Sequence, residues 1–129
     1  MAPRRPFFER YMDAYLKRDP KAFSGFFDFP CMIIDSAGDH VIRDELGIEN
    51  YERPFVTALH DRGLKEVEFD ELSVQEINES ECFCTNRYRI LGADKELIGD
   101  MEYHYFLVRA GDNWRIKFAR MGQVHHWAQ

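Results

Sequence analysis

The sequence has few cysteines, no long apolar run and no cluster of basic residues. Three cysteines leave at least one thiol unpaired within the chain, which fits a reducing cytosol better than a secreted disulfide scaffold, so we expect a cytoplasmic protein. Near the N-terminus, Glu9, Arg10 and Asp13 interrupt the apolar positions, which argues against a signal peptide and a membrane partner. A net charge of −6 without a Lys/Arg run argues against nucleic-acid binding.

Motifs for metals, phosphates and nucleophilic catalysis are also missing. The histidines include no pair at helical spacing with a nearby glutamate, and the closing His-His-Trp is interpreted as a solvated tail. Cys82 and Cys84 lie two apart on a predicted strand without the turn of a zinc-binding pair, which predicts buried structural thiols. No phosphate-binding glycine loop or nucleophile elbow is present. We therefore expect no metal and no cofactor.

Aromatic residues are abundant instead, with 11 Phe, 6 Tyr and 2 Trp in 129 residues. A chain of this length can bury a substantial core, and no repeat, linker or charge block divides it. We therefore assign residues 1–129 to a single domain. So many aromatic side chains can also build the walls of a cavity.

The first half of the chain has helical periodicity. One apolar stripe comprises Phe8, Tyr11, Met12, Tyr15 and Leu16. Asp19 and Pro20 form an N-cap and first-turn signature that begins a second, short helix. A third helix is predicted over 45–62, where Pro54 would cost ~3 kcal/mol in a helix interior, so one interpretation starts the regular helix there.

The second half alternates with the period of strands. Val67 and Phe69 are followed by Leu72 and Val74 in the opposite phase, which predicts a β-bulge and a bent sheet. Helices followed by a bent antiparallel sheet is an α+β order. A strongly curved sheet with helices across its mouth encloses a concave space, which is a natural site for a small molecule.

The last two strands are predicted to form a hairpin with a turn at Gly111 and Asp112, in which Ala110 pairs with Asn113. If the pairing continues without interruption, one face carries Tyr103, Tyr105, Trp114 and Phe118. The other face then carries His104, Phe106, Val108, Ala119 and Met121. Both faces are partly apolar, so neither is simply solvated.

The order of elements and the segments "ERYMDAYLKRDPKAFSGFFDFPCMIIDSAGD" and "YFLVRAGDNWRIKFAR" resemble the nuclear transport factor 2-like superfamily, from about Phe7 to Met121. The resemblance implies a cystatin-like cone, with N-terminal helices packed on a strongly bent antiparallel sheet. The superfamily includes ketosteroid isomerases, SnoaL-type polyketide cyclases, dehydratases and proteins without assigned activity, so it implies a fold and not a reaction. Members usually dimerise through the outer sheet faces, which implies a homodimer. The predicted dimer face of the sheet comprises His104, Phe106, Val108, Ala119 and Met121.

Tyr11 and Asp35 are the catalytic candidates that the resemblance implies. In ketosteroid isomerases a tyrosine of the first helix and an aspartate of the first strand act together, and these two residues occupy similar places. Asp35 would remove a proton beside a carbonyl while the Tyr11 hydroxyl donates to the enolate oxygen. The second acid of those isomerases is missing, because the matching strand carries only Tyr103, His104 and Tyr105. Each candidate also has a structural interpretation: a core aromatic for Tyr11, and a turn aspartate for Asp35.

The predicted ligand pocket comprises Tyr15, Phe27, Phe55, Arg87, Tyr103, Tyr105, Trp114 and Phe118. Arg87 enters the pocket only if the loop before the hairpin is symmetric, and a one-residue slip would place it on the surface. Two functions stay open. One is a cofactor-independent isomerase, cyclase or dehydratase acting on a small apolar carbonyl compound. The other is a non-catalytic dimeric module that binds a ligand or a partner.

Overall fold

The computed structural model describes residues 4–129, so residues 1–3 of the predicted domain lie outside the described residues. Two α-helices, α1 (Arg5–Leu16) and α2 (Glu45–Asp61), and a 3₁₀ segment (Pro20–Phe26) pack on one curled sheet. The strands of that sheet are β1 (Phe27–Asp35), β2 (Gly38–Ile42), β3 (Glu66–Asn78), β4 (Glu81–Leu91), β5 (Leu97–Ala110) and β6 (Asn113–Trp127). The predicted α+β class and cystatin-like architecture are confirmed.

The strand order is β2-β1-β6-β5-β4-β3, and β1 with β6 is a parallel pair in an otherwise antiparallel sheet. The predicted bulge in β3 is confirmed, because the pairing with β4 shifts between Glu71 and Ser73. The thiols of Cys82 and Cys84 are buried, as predicted. None of the described helices has the length and apolar character needed to cross a membrane.

Helix α2 begins earlier than the proline suggested. Asp44 is its N-cap, and the Asp44 carboxylate accepts a hydrogen bond from the Gly47 backbone N–H at 2.8 Å. The helix continues through Pro54 to Asp61. Ile48, before the proline, and Val56, after it, are both buried, so both parts of the helix are held by the core. Packing therefore outweighs the cost of a proline in the helix interior.

The β5–β6 hairpin contains a bulge that the sequence analysis did not predict. Pairing follows the expected register from Ala110–Asn113 to Leu107–Ile116, and then shifts by one residue so that Phe106 pairs with Phe118. One extra residue reverses the face of the side chains that follow, as far as Met121, beyond which the pairing shifts again. Three predicted placements are therefore wrong: Phe118 lies on the outer face of the sheet, while Ala119 and Met121 lie on the concave face.

The C-terminal residues are also part of the sheet and not a solvated tail. Strand β6 extends to Trp127, whose ring stacks on Phe55 with a centroid distance of 6.0 Å. The Arg62 guanidinium lies 4.5 Å from the centroid of the same tryptophan ring. These contacts tie the end of β6 to the last turns of α2.

Candidate functional site

A cavity of about 360 Å³ lies between the two helices and the concave face of the sheet. This volume falls within the range of small-molecule sites. Most of the wall is aromatic or aliphatic, and all six tyrosines of the sequence line it. The tyrosines are Tyr11, Tyr15, Tyr51, Tyr88, Tyr103 and Tyr105. Among the described residues, the lining includes the carboxyl groups of Asp35 and Glu52 but no lysine, arginine or histidine.

The predicted site residues divide into three groups. The structure brings together Tyr11, Tyr15, Asp35, Phe55, Tyr103 and Tyr105 around the cavity. Phe27 and Trp114 are buried in the core and do not line the cavity, because Phe27 packs against the ring of Tyr11 at a centroid distance of 5.9 Å, away from the open space. Phe118 and Arg87 lie on the outer face.

The pocket position predicted for Arg87 requires a symmetric loop, and the register between β4 and β5 contradicts it. Asn86 pairs with Tyr103, so Asn86 takes the inward position and Arg87 pairs with Glu102 on the outer face. There the Arg87 guanidinium donates two hydrogen bonds to the Asp100 carboxylate, each at 2.8 Å. The predicted guanidinium for a ligand carboxylate is therefore absent from the cavity wall.

Asp35 lies at the edge of the cavity with its carboxylate already engaged. Tyr51 Oη donates to Asp35 Oδ2 at 2.6 Å, while Ala37 N and His40 Nε2 lie 2.8 and 2.9 Å from Oδ1. Partial burial opposes ionisation, but these hydrogen bonds outweigh it and hold the pKa of Asp35 below its ordinary value. The carboxylate thus serves the turn between β1 and β2 and is a weak base.

Glu52 is the titratable group that the sequence analysis missed. Its side chain extends from α2 into the cavity, and the residue is only 3% exposed. Burial raises the pKa of Glu52 to about 7, although a hydrogen bond from the Tyr15 hydroxyl favours the anion. Tyr15 Oη in turn lies 3.1 Å from Tyr11 Oη. A carboxyl group with this pKa exchanges protons readily near neutral pH.

The sequence did contain a signal for Glu52. Ile48, Glu52, Val56 and Leu59 recur at steps of four, four and three residues, which is one stripe of a helix, and all four are buried. A single carboxylate within an apolar stripe is uncommon unless it is paired or functional. The apolar members of the stripe are enough to predict the helix, so the periodicity alone does not single out the glutamate among them.

The outer face of the sheet carries a partly exposed aromatic pair. Phe83 is 48% exposed, and its ring centroid lies 5.0 Å from that of Phe106. His104 and Val108 lie on the same face, and His104 Nδ1 lies 2.8 Å from Thr85 Oγ1.

Among the described residues, no group of three or more His, Cys, Asp or Glu is arranged to hold a metal ion.

A curled sheet closed by helices over an apolar cavity defines a cystatin-like domain. The family described as NTF2-like protein (DUF6841) matches residues 4–122, and the chain belongs to this family. The resemblance predicted from the sequence is thereby confirmed at the level of the superfamily. No curated protein matches the chain.

Solved structures share the fold at low sequence identity. Aln2 from a Streptomyces species is 17% identical, with a TM-score of 0.72, over 92% of this chain and 86% of that one. A domain of unknown function with a cystatin-like fold from Nostoc punctiforme is 17% identical, with a TM-score of 0.71, over 91% and 72%. An NTF2-like protein of unknown function from Shewanella oneidensis is 12% identical, with a TM-score of 0.70, over 92% and 94%. These likenesses establish the fold alone.

Proposed function

We propose that the cavity binds a small, neutral, largely apolar carbonyl compound, and that Glu52 transfers a proton to or from it. The reaction would be that of a cofactor-independent isomerase, cyclase or dehydratase. The observation that carries the proposal is a buried carboxyl group, lining an aromatic cavity, whose pKa is about 7. A general base is most effective when its pKa lies near the working pH.

The hydrogen bonds around the two carboxyl groups favour Glu52 over Asp35 as the base. Tyr51, His40 and the Ala37 backbone N–H already engage Asp35, and its pKa is lowered. Among residues 4–129, Glu52 accepts a side-chain hydrogen bond from Tyr15 alone, which leaves one carboxyl oxygen for a ligand. The proposal therefore assigns proton transfer to Glu52 and a structural role at the cavity edge to Asp35.

Tyr11 acts on Tyr15 in this proposal and not directly on the substrate. A phenol carries one proton, and Tyr15 donates its proton to Glu52. The hydrogen bond between the two tyrosines must then be donated by Tyr11. Tyr11 thus positions the hydroxyl that stabilises the Glu52 anion.

The electrostatics of the wall favour an uncharged ligand. An anionic compound would meet two carboxyl groups and no basic side chain. Apolar contacts would supply most of the affinity, at roughly 25 cal/mol per Å² of apolar surface removed from water. A ketone or unsaturated carbonyl compound carries one polar oxygen on an apolar frame and fits this wall.

Hydrogen–deuterium exchange into a ketone tests proton transfer without knowledge of the natural substrate. 1-Indanone in D₂O at neutral pD should exchange its C2 hydrogens faster with the protein than without it, as followed by proton NMR. Glu52→Gln should reduce the catalysed rate at least about 100-fold, the usual contribution of a general base. Glu49→Gln changes a carboxylate on the same helix that is paired with Arg53 outside the cavity, and should leave the rate unchanged.

Two results would contradict the assignment. Loss of exchange in Asp35→Asn with retention in Glu52→Gln would return the base to Asp35. Saturable binding of the ketone without any exchange would instead favour the non-catalytic binding module.

We also propose that the chain forms a homodimer through the outer face of the sheet. The exposed Phe83–Phe106 pair supports this, because a second copy would remove apolar surface from water. Phe106→Glu should convert a dimer to a monomer at micromolar concentration in light scattering, while Leu46→Glu, which places the same charge at an exposed apolar position on α2, should not. A wild-type monomer under these conditions would refute the dimer.

A further inference from the structure

The hydrogen bonds of the cavity tyrosines show which phenol protons are used within the protein. Tyr51 donates its proton to Asp35, Tyr15 donates to Glu52, and Tyr11 consequently donates to Tyr15. These three protons are used within the protein. The protons of Tyr88, Tyr103 and Tyr105 take no part in these three bonds.

Asn86 sets the direction for two of them. Its side chain is fully buried beneath the concave face, and its amide nitrogen donates to Tyr88 Oη at 3.0 Å. An amide nitrogen is only a donor, so Tyr88 Oη is the acceptor in this contact. Asn86 Oδ1 is buried without a hydrogen-bond partner among the described residues, so this side chain serves Tyr88 and not a wider network.

The Tyr88 proton then points to Tyr105. Tyr88 Oη and Tyr105 Oη lie 2.7 Å apart, and the distance alone allows either oxygen to donate. Because Tyr88 Oη already accepts from the Asn86 amide, its own proton is left to donate, which favours Tyr88 as the donor and Tyr105 as the acceptor. Tyr105 makes no further hydrogen bond to a described residue, and it lines the cavity. Its proton is therefore available to a ligand.

Tyr103 is the second free donor. It lies two residues before Tyr105 on the same face of β5, and the two rings stack with centroids 6.2 Å apart. The Tyr103 hydroxyl lines the cavity and makes no hydrogen bond to any described residue. Burial raises the pKa of both phenols, so both keep their protons at neutral pH.

We infer that Tyr103 and Tyr105 form the donor pair for an acceptor oxygen of the ligand, and that Asn86, through Tyr88, is the positioning residue that orients the Tyr105 proton. The inference rests on the proposed function, in that it requires a ligand with such an oxygen. It identifies the end of the cavity where a carbonyl group binds. It also explains why a polar amide is buried behind an apolar wall.

The carbonyl stretching frequency of bound 1-indanone tests the donor pair directly. With carbonyl ¹³C-labelled ketone, difference infrared spectra should give a lower frequency in the wild-type protein than in hexane. Tyr105→Phe and Tyr103→Phe should each move the frequency toward the hexane value. Asn86→Leu should do so as well, because Tyr88 can then accept from Tyr105. Thr85→Val, which removes a hydroxyl next to Asn86 on the outer face of the same strand, is the matched control and should leave the frequency unchanged.

The outcomes separate this inference from the proton-transfer proposal. A lowered frequency that depends on Tyr105 and Tyr103, without deuterium exchange at C2, would support the donor pair and reject Glu52 as a catalytic base. An unchanged frequency in both tyrosine variants, or a shift toward the hexane value in Thr85→Val, would overturn the donor pair even if exchange is observed. Failure of 1-indanone to bind, seen as no change in melting temperature, would overturn both.

Discussion

Replacing Glu52 by glutamine is expected to raise the free energy of unfolding at pH 8 by about 3 kcal/mol. The pKa of Glu52 is about 7 in the folded protein and near 4.5 for an ordinary glutamate. The Glu52 carboxyl group therefore ionises at a higher pH in the folded protein than in the unfolded chain. Glutamine keeps an oxygen that accepts the hydrogen bond from Tyr15 and has no charge to bury.

The sign of the pH dependence follows from proton linkage. Below about pH 4.5 the carboxyl group is protonated in both states, and its contribution to stability is fully present. Between pH 4.5 and 7 the unfolded chain loses the proton while the folded protein keeps it, so stability falls as pH rises. Above about pH 7 the carboxyl group is ionised in both states, so it causes no further fall in stability.

Urea denaturation between about pH 4.5 and 8 measures this effect. The stability of the wild-type protein should decline across that window relative to Glu52→Gln, and the difference between the two should level off above about pH 7. Glu49→Gln, on the outside of the same helix, should follow the wild-type curve. Parallel curves for wild type and Glu52→Gln would show that Glu52 titrates normally in the folded protein.

A buried carboxyl that weakens the fold at neutral pH is better explained by function than by packing. Proteins commonly retain destabilising groups where activity requires them. An apolar side chain at this position would continue the stripe of Ile48 and Val56 and would stabilise α2 against the sheet. Retaining the glutamate therefore agrees with a role in proton transfer.

The sequence predicted those elements whose signals are local. The stripe of α1, the turn at Gly111 and the phase change near Leu72 each depend on a few neighbouring residues, and each agrees with the structure. The bulge in β6 left no such signal. Trp114, Ile116 and Phe118 alternate without a break, and both faces of this hairpin are partly apolar, so the pattern does not specify where the phase reverses.

The Tyr15–Glu52 pair was harder to predict because it depends on long-range contacts. Tyr15 and Glu52 lie 37 positions apart and meet only when α2 packs on α1. Asp35 stood out in the sequence because it ends a strand, yet its hydrogen bonds serve the adjacent turn. A carboxylate in a helix is ordinarily a solvent-exposed residue, and only its apolar neighbours at four-residue steps distinguish Glu52.

Ala119→Phe is expected to abolish ligand binding, because the bulge in β6 turns residue 119 into the cavity. A phenyl ring there would occupy the space that a bicyclic ketone needs. At a ligand concentration about 100 times its Kd, the wild-type protein should gain about 2.7 kcal/mol of stability, and the variant should gain none. Thermal unfolding with and without 1-indanone measures the difference. The unliganded variant should stay folded, since the ring enters open space.

Phe118→Glu is the matched change one residue earlier on the same strand. Phe118 pairs with Phe106 on the outer face, so a carboxylate there should leave the ketone-induced stabilisation intact while it weakens association between copies. Uninterrupted pairing from the turn would reverse both results: Ala119→Phe would then act on the dimer, and Phe118→Glu would place a charge in the cavity. The two variants together therefore locate the phase reversal, and with it the wall of the site, without any knowledge of the natural ligand.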